Sequence, residues 1–104
     1  MGEGKLVRDR IPDIIRARGG SPVVRQAAAA EYRGLLHAKL LEEANEVLSA
    51  DDGSAAEELA DVLEVLAALA DDLGVGLEHV QKLRDQKAQE RGGFAGRIVW
   101  EGNR

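Results

Sequence analysis

Cysteine is absent from the 104-residue chain. Its absence excludes a disulfide, a thiolate metal site and a cysteine nucleophile, and it fits an intracellular protein. Aromatic residues are scarce: Tyr32, Phe94 and Trp100 are the whole set. A core must therefore be built from Leu, Val, Ile and Ala, a palette that favours packed helices over a sheet sandwich. No run approaches the roughly 20 apolar residues of a membrane span, and the opening MGEGKLVRDRIP holds no apolar stretch of signal-peptide length. A cytoplasmic protein with no membrane partner is expected. A surplus of positive charge is lacking too, with 14 Lys and Arg against 19 Asp and Glu and a net charge of -5. Duplex nucleic acid is bound chiefly through excess Lys and Arg, so no duplex nucleic-acid partner is expected.

What is present is helical periodicity. Hydrophobic residues make up 44% of the chain and charged residues 32%, proportions of one globular domain over residues 1–104. KLVRDRIPDIIRARGG reads as a short extended piece followed by a brief helix, with Pro12 near its start and Gly19-Gly20 stopping it. SPVVRQ is a second short extended segment. From about Ala28, Tyr32, Leu36, Leu40, Leu41, Val47 and Leu48 share one helical face, and SADDG ends that run. Ser54 and Glu57 have the spacing of a capping box that opens a second long helix, in which Leu59, Val62, Leu63, Leu66, Leu69 and Leu73 recur as far as Gly74. A third helix runs from about Leu77 to Gly92-Gly93, and RIVW beyond it reads as a short strand or extended tail. The fold class is all-α: a helical bundle with short extended segments at its N- and C-terminal ends.

Carboxylates interrupt the apolar stripes. At about 100° per residue, Glu43 projects between Tyr32 and Leu36, with Lys39 and Glu46 at the edge of the arc and Glu42 further out. In the second long helix Glu58 falls among Val62, Val65 and Leu69, with Asp61 at the edge, while Glu64 projects outward. Each helix thus presents two carboxylates three residues apart and pointing one way. An antiparallel hairpin about SADDG would bring Glu43, Glu46, Glu58 and Asp61 together. Desolvating unpaired like charges costs several kcal/mol per ion, so a positive partner is required. Mg²⁺, or alternatively Mn²⁺, suits an all-oxygen donor set. Acidic residues are ordinary in a first helical turn, and Glu57 and Glu58 alone would read that way. Two clusters, each intruding on an apolar arc, read as a site.

EEANE at Glu42–Glu46, followed by EELAD with Glu58 and Asp61, resembles the EExxE...ExxD signature of the MazG-like, all-α nucleoside triphosphate pyrophosphohydrolases, a group that includes phosphoribosyl-ATP pyrophosphohydrolases and dimeric dUTPases. KLVRDRIP near the start, KLLEE before the first cluster and RGGFAGRIVW near the end are similar to small stand-alone members, although the connector from Glu46 to Glu58 is short for the family. The resemblance implies hydrolysis of a nucleoside triphosphate to the monophosphate and pyrophosphate, with Glu43, Glu46, Glu58 and Asp61 as ligands of Mg²⁺. Glu42 is then either the group that orients the attacking water or accepts its proton, or a solvated surface residue.

Phosphate also requires cations. Arg84, Lys87 and Arg91 form a basic stripe on the third helix, and Lys39 lies one turn before Glu43. Their alternative reading is a wet helix face with cations favoured near a helix C-terminus. Arg8, Asp9 and Arg10 either reach the site from the N-terminal segment or are surface charge. His37 and His79 have no partner at metal-ligand spacing, and Trp100 is expected to pack rather than to stack on a base. Two long helices with wide aliphatic faces and a short third make a thin monomer, so a homodimer or homotetramer is expected to complete a four-helix bundle. The functional alternatives are a phosphoribosyl-ATP pyrophosphohydrolase, a noncatalytic bundle that binds a nucleotide or a partner protein, and a nucleic-acid binder that uses the basic segments.

Overall fold

Proline and glycine punctuate the chain at the helix ends. In a computed structural model that describes residues 4–104, Pro12 lies in the first turn of α1, Ile11–Ala17, where its missing N–H costs nothing. Gly19, at φ +89°, turns the chain out of that helix. The long helices follow as α2, Ala29–Ser49, and α3, Ala55–Asp72, and then α4, Gly76–Arg91. No strand occurs among the described residues. RIVW therefore carries no ladder, and Ile98, Val99 and Trp100 are exposed, Trp100 donating from Nε1 to Asn103 Oδ1 at 3.2 Å. The expected packing of Trp100 is not made within this chain. No helix among the described residues is long and apolar enough to cross a membrane.

The start of α3 differs in detail from the capping box expected at Ser54 and Glu57. Ser54 has φ -112° and ψ -7° and makes no side-chain cap bond. An N-cap hydroxyl reaches the N3 amide from extended backbone, and this residue is already near-helical. Asp51 does the work instead: its Oδ1 accepts from Ser54 N at 3.0 Å and from Ser54 Oγ at 3.1 Å. The reciprocal arrangement is half formed at α2, where Glu31 Oε1 accepts from Ala28 N at 3.0 Å. At the far end of α3, Gly74 at φ +79° allows a Schellman closure, Val75 N to Ala70 O at 3.0 Å and Gly74 N to Asp71 O at 2.9 Å.

Helices α2 and α3 pack as an antiparallel hairpin, and α4 packs back on α3, while the backbone of α1 stands off from all three. Arg33 pins the open end of the hairpin, its Nε donating to Asp72 Oδ2 at 2.6 Å and its Nη2 to the Asp72 carbonyl at 3.3 Å. A cation there also suits the C-terminal end of the α3 dipole. Among the described residues only Leu36, Val65 and Ala70 are buried. Tyr32, Leu40, Val62 and Leu69 are half-buried around them. The leucines Leu41, Leu48, Leu59, Leu63 and Leu66, expected in the core, lie exposed on this chain. The face of α3 that packs on α2 is thus the face interrupted by Glu58 and Asp61, and the leucine-rich face points away.

The single chain is long and thin, 60 × 34 × 25 Å, with a radius of gyration of 17.8 Å, where a compact domain of this length has about 13 Å. Its accessible surface is 9126 Å², against about 5,700 Å² for a folded monomer of its mass.

Candidate functional site

The hairpin register sets the site. Glu43 lies on α2 two turns beyond the buried Leu36, and Asp61 on α3 one turn before the buried Val65, so the packed faces of the hairpin are also the faces that carry these carboxylates. Glu43, Glu58 and Asp61 each offer a carboxylate oxygen within 4.8 Å of the others, all three half-buried. Glu46, the fourth expected ligand, is exposed and stands outside this group. Its charge still acts on Glu58, whose pKa is raised first by desolvation and then by Asp61, Glu46 and Glu43. Three clustered carboxylates fit a hard divalent cation such as Mg²⁺ or Mn²⁺ by donor type. Ligand oxygens on a Mg²⁺ octahedron lie about 3.0 Å apart when adjacent and about 4.2 Å apart when opposite, so the three carboxylates, within 4.8 Å of one another, would draw closer to share one ion.

Basic side chains ring the cluster. Lys39 Nζ lies 3.2 Å from Glu43 Oε1 and 3.4 Å from Glu42 Oε2. Two more come from the segment before α1: Lys5 Nζ donates to Glu42 Oε1 at 2.8 Å, and Arg8 Nη2 to Asp61 Oδ1 at 2.8 Å. The hydrogen bond from Lys5, reinforced by the charge of Lys39, holds the Glu42 carboxyl below the ordinary range, and the same bond raises Lys5. This N-terminal strap crosses the hairpin and walls a cleft of about 470 Å³, lined also by Tyr32, Leu36, Lys39, Glu43 and Asp61. Glu64, read as pointing outward, is exposed but lines the same cleft.

The sequence assigned no role to Lys5 and left Arg8 open between the site and the surface. Both lie more than 30 residues from the carboxylates they meet, and no local periodicity links them. Conversely, Arg84, Lys87 and Arg91 on α4 are exposed and line no part of this cleft. Arg84 faces Asp85 at 3.2 Å. Within one chain the basic stripe and the acidic cluster stay apart, because α4 packs on α3 and not across the mouth of the hairpin.

Elementary chemistry gives this arrangement a defined capacity. Oxygen donors can hold a divalent cation while lysine and arginine beside them meet the anion that the cation brings. A 54-residue stretch of the chain is 52% identical to an uncharacterised protein of Mycolicibacterium smegmatis (strain ATCC 700084 / mc(2)155), covering 52% of this chain and 55% of that protein. The chain thus spans about half the length of that relative. No family model matches the chain, and no solved structure does.

Proposed function

We propose that this protein is a MazG-like, Mg²⁺-dependent pyrophosphohydrolase that converts a nucleoside triphosphate, including noncanonical ones, to the monophosphate and pyrophosphate. One observation carries the reading: the EEANE and EELAD segments face each other across a hairpin, so that Glu43, Glu58 and Asp61 come within 4.8 Å with lysine and arginine around them. Glu43, Glu58 and Asp61 hold the cation, and Glu46 joins them by a side-chain rotation from the rim. When bound, a divalent cation offsets the charge of the carboxylates and the phosphates and stabilises the leaving pyrophosphate. Lys39 meets the phosphate chain beside Glu43. Glu42 orients the attacking water as a hydrogen-bond acceptor. Held below its ordinary pKa by Lys5 and Lys39, it is a weak proton acceptor, so orientation is its larger contribution.

The functional unit is a homodimer or homotetramer. The excess of exposed surface over that of a compact monomer and the outward leucines of α2 and α3 support assembly. A second copy is also the simplest source of α4 cations at the cleft, which would give Arg84, Lys87 and Arg91 their phosphate-binding role. The test is pyrophosphate release from a panel of triphosphates and phosphoribosyl-ATP, with and without Mg²⁺, on protein whose solution mass is measured as a multiple of 11.2 kDa. Turnover restricted to phosphoribosyl-ATP selects that narrower activity. No turnover of any substrate with Mg²⁺ present sinks the enzyme and leaves the noncatalytic bundle.

A further inference from the structure

The N-terminal strap has an unusual position. It lays one cation on each helix of the hairpin, Lys5 on Glu42 of α2 and Arg8 on Asp61 of α3, both at 2.8 Å. These carboxylates belong to, or border, the proposed cation site, so a divalent ion arriving there competes with Arg8 directly. The strap is lightly held. Side-chain exposure is 63% for Lys5 and 55% for Arg8, and solvent-screened ion pairs of this kind are weak. Residues Lys5 to Asp9 also line a second cleft of about 780 Å³ on the other side, bordered by Val23, Val24 and Leu35. The strap is therefore a thin partition with open space on both faces, continued by a helix whose backbone stands off from the other three.

We infer that Lys5 and Arg8 are exchangeable counter-ions: they pair with Glu42 and Asp61 when no cation is bound, and they pass to the substrate phosphates when a divalent cation takes Asp61 and Glu42 turns to the attacking water. This inference rests on the Mg²⁺-dependent reading above and adds two substrate-binding residues to it. Exchange keeps Lys5 and Arg8 beside an anion at each stage. A carboxylate cluster alone is paired with the strap, whereas a cation and a triphosphate together bring more negative than positive charge and leave room for two further cations. Arg8 is the better suited of the two, because the guanidinium fork donates to two phosphate oxygens at once as readily as to a carboxylate. Neither side chain needs a change in fold to transfer, since both already border the cleft that holds Glu43 and Asp61.

The exchange separates two affinities that a fixed counter-ion would not. Arg8→Ala, Lys5→Ala and Arg8→Lys are compared with the parent by calorimetric titration, first with Mg²⁺ alone and then with inorganic tripolyphosphate at saturating Mg²⁺, with helical circular dichroism as the check on folding. Removing a competing cation should tighten Mg²⁺ binding about two- to fivefold in the alanine variants. Removing a phosphate donor should weaken tripolyphosphate binding about tenfold or more in Arg8→Ala, with Arg8→Lys in between. Should Arg8→Ala fold poorly, Arg8→Lys against the parent carries the same comparison, because it keeps the charge and loses the fork. Unchanged tripolyphosphate affinity in a folded Arg8 variant, with Mg²⁺ binding tightened or not, overturns the exchange and leaves the proposed activity standing. A parent that binds no Mg²⁺ overturns both.

Discussion

The α2–α3 hairpin and the α4 helix with its tail carry similar densities of charge and use them oppositely. On the hairpin, Glu43, Glu58 and Asp61 are half-buried, close together and in reach of Lys39 and Arg8. On α4, every residue from Glu78 onward is exposed. Both regions have amphipathic candidates, but only the hairpin has a facing helix on the side where its charges lie. Convergence is what turns charge into a site: an isolated stripe on a wet face interacts through a high dielectric and is screened by salt, whereas between two packed helices desolvation first, and then the neighbouring carboxylates, raise the pKa of Glu58.

The sharpest way to break this contrast is at the hairpin. Glu43→Gln or Asp61→Asn is expected to abolish Mg²⁺-dependent pyrophosphate release while keeping the helical circular dichroism of the parent. In the parent, thermal stability should rise with Mg²⁺ as the logarithm of its concentration above the dissociation constant, and sodium at matched ionic strength should not replace it. Both variants should lose that response, and Glu90→Gln on α4 should keep it. A melting temperature that ignores Mg²⁺ in the parent would remove the cation from the account of the intruding glutamates.

A smaller effect is expected on α4. Lys87→Ala or Arg91→Ala should cost about 1.5–3 kcal/mol in kcat/KM, the scale of a charge-assisted hydrogen bond to phosphate, if a neighbouring copy presents this stripe to the cleft. Steady-state kinetics read it directly. Parent-like values would make the stripe a solvated face and confine phosphate binding to the hairpin and strap.

The smallest effect separates two glutamates by sign. Hydrogen bonds from Arg25 and from the Ala28 amide hold Glu31 down at about 2 from an ordinary 4.5. Its folded pKa is depressed, so its contribution to stability is full above 4.5 and is lost as pH falls toward 2. Glu58 is raised, so its ionised form opposes folding above its folded pKa, and that cost is relieved as pH falls through that value toward 4.5. Glu31→Gln should therefore flatten the acid side of a melting curve measured against pH without altering the neutral plateau's response to Mg²⁺. Because Glu31 is partly exposed the change should be modest. An identical acid limb in parent and variant would remove Glu31 from the acid transition.

Helix type and extent were open to reading in the sequence, because they depend on local periodicity and punctuation: apolar residues at helical spacing, Pro12 near the start of α1, Gly19 and Gly74 at helix ends. The pairing of acidic residues three apart is equally local, and so the metal candidates Glu43, Glu58 and Asp61 were legible before any tertiary contact was known. The tertiary structure alone decided which candidates meet. It left Glu46 at the rim, turned the leucine face of α3 outward, put Glu64 on the wall of the cleft, replaced the Ser54 cap by Asp51 and carried Lys5 and Arg8 onto carboxylates 37 and 53 residues away. The physical reason is the range of the forces involved. A helix is specified by bonds that span four residues, whereas the balance of charge in a cleft depends on the path of the whole chain.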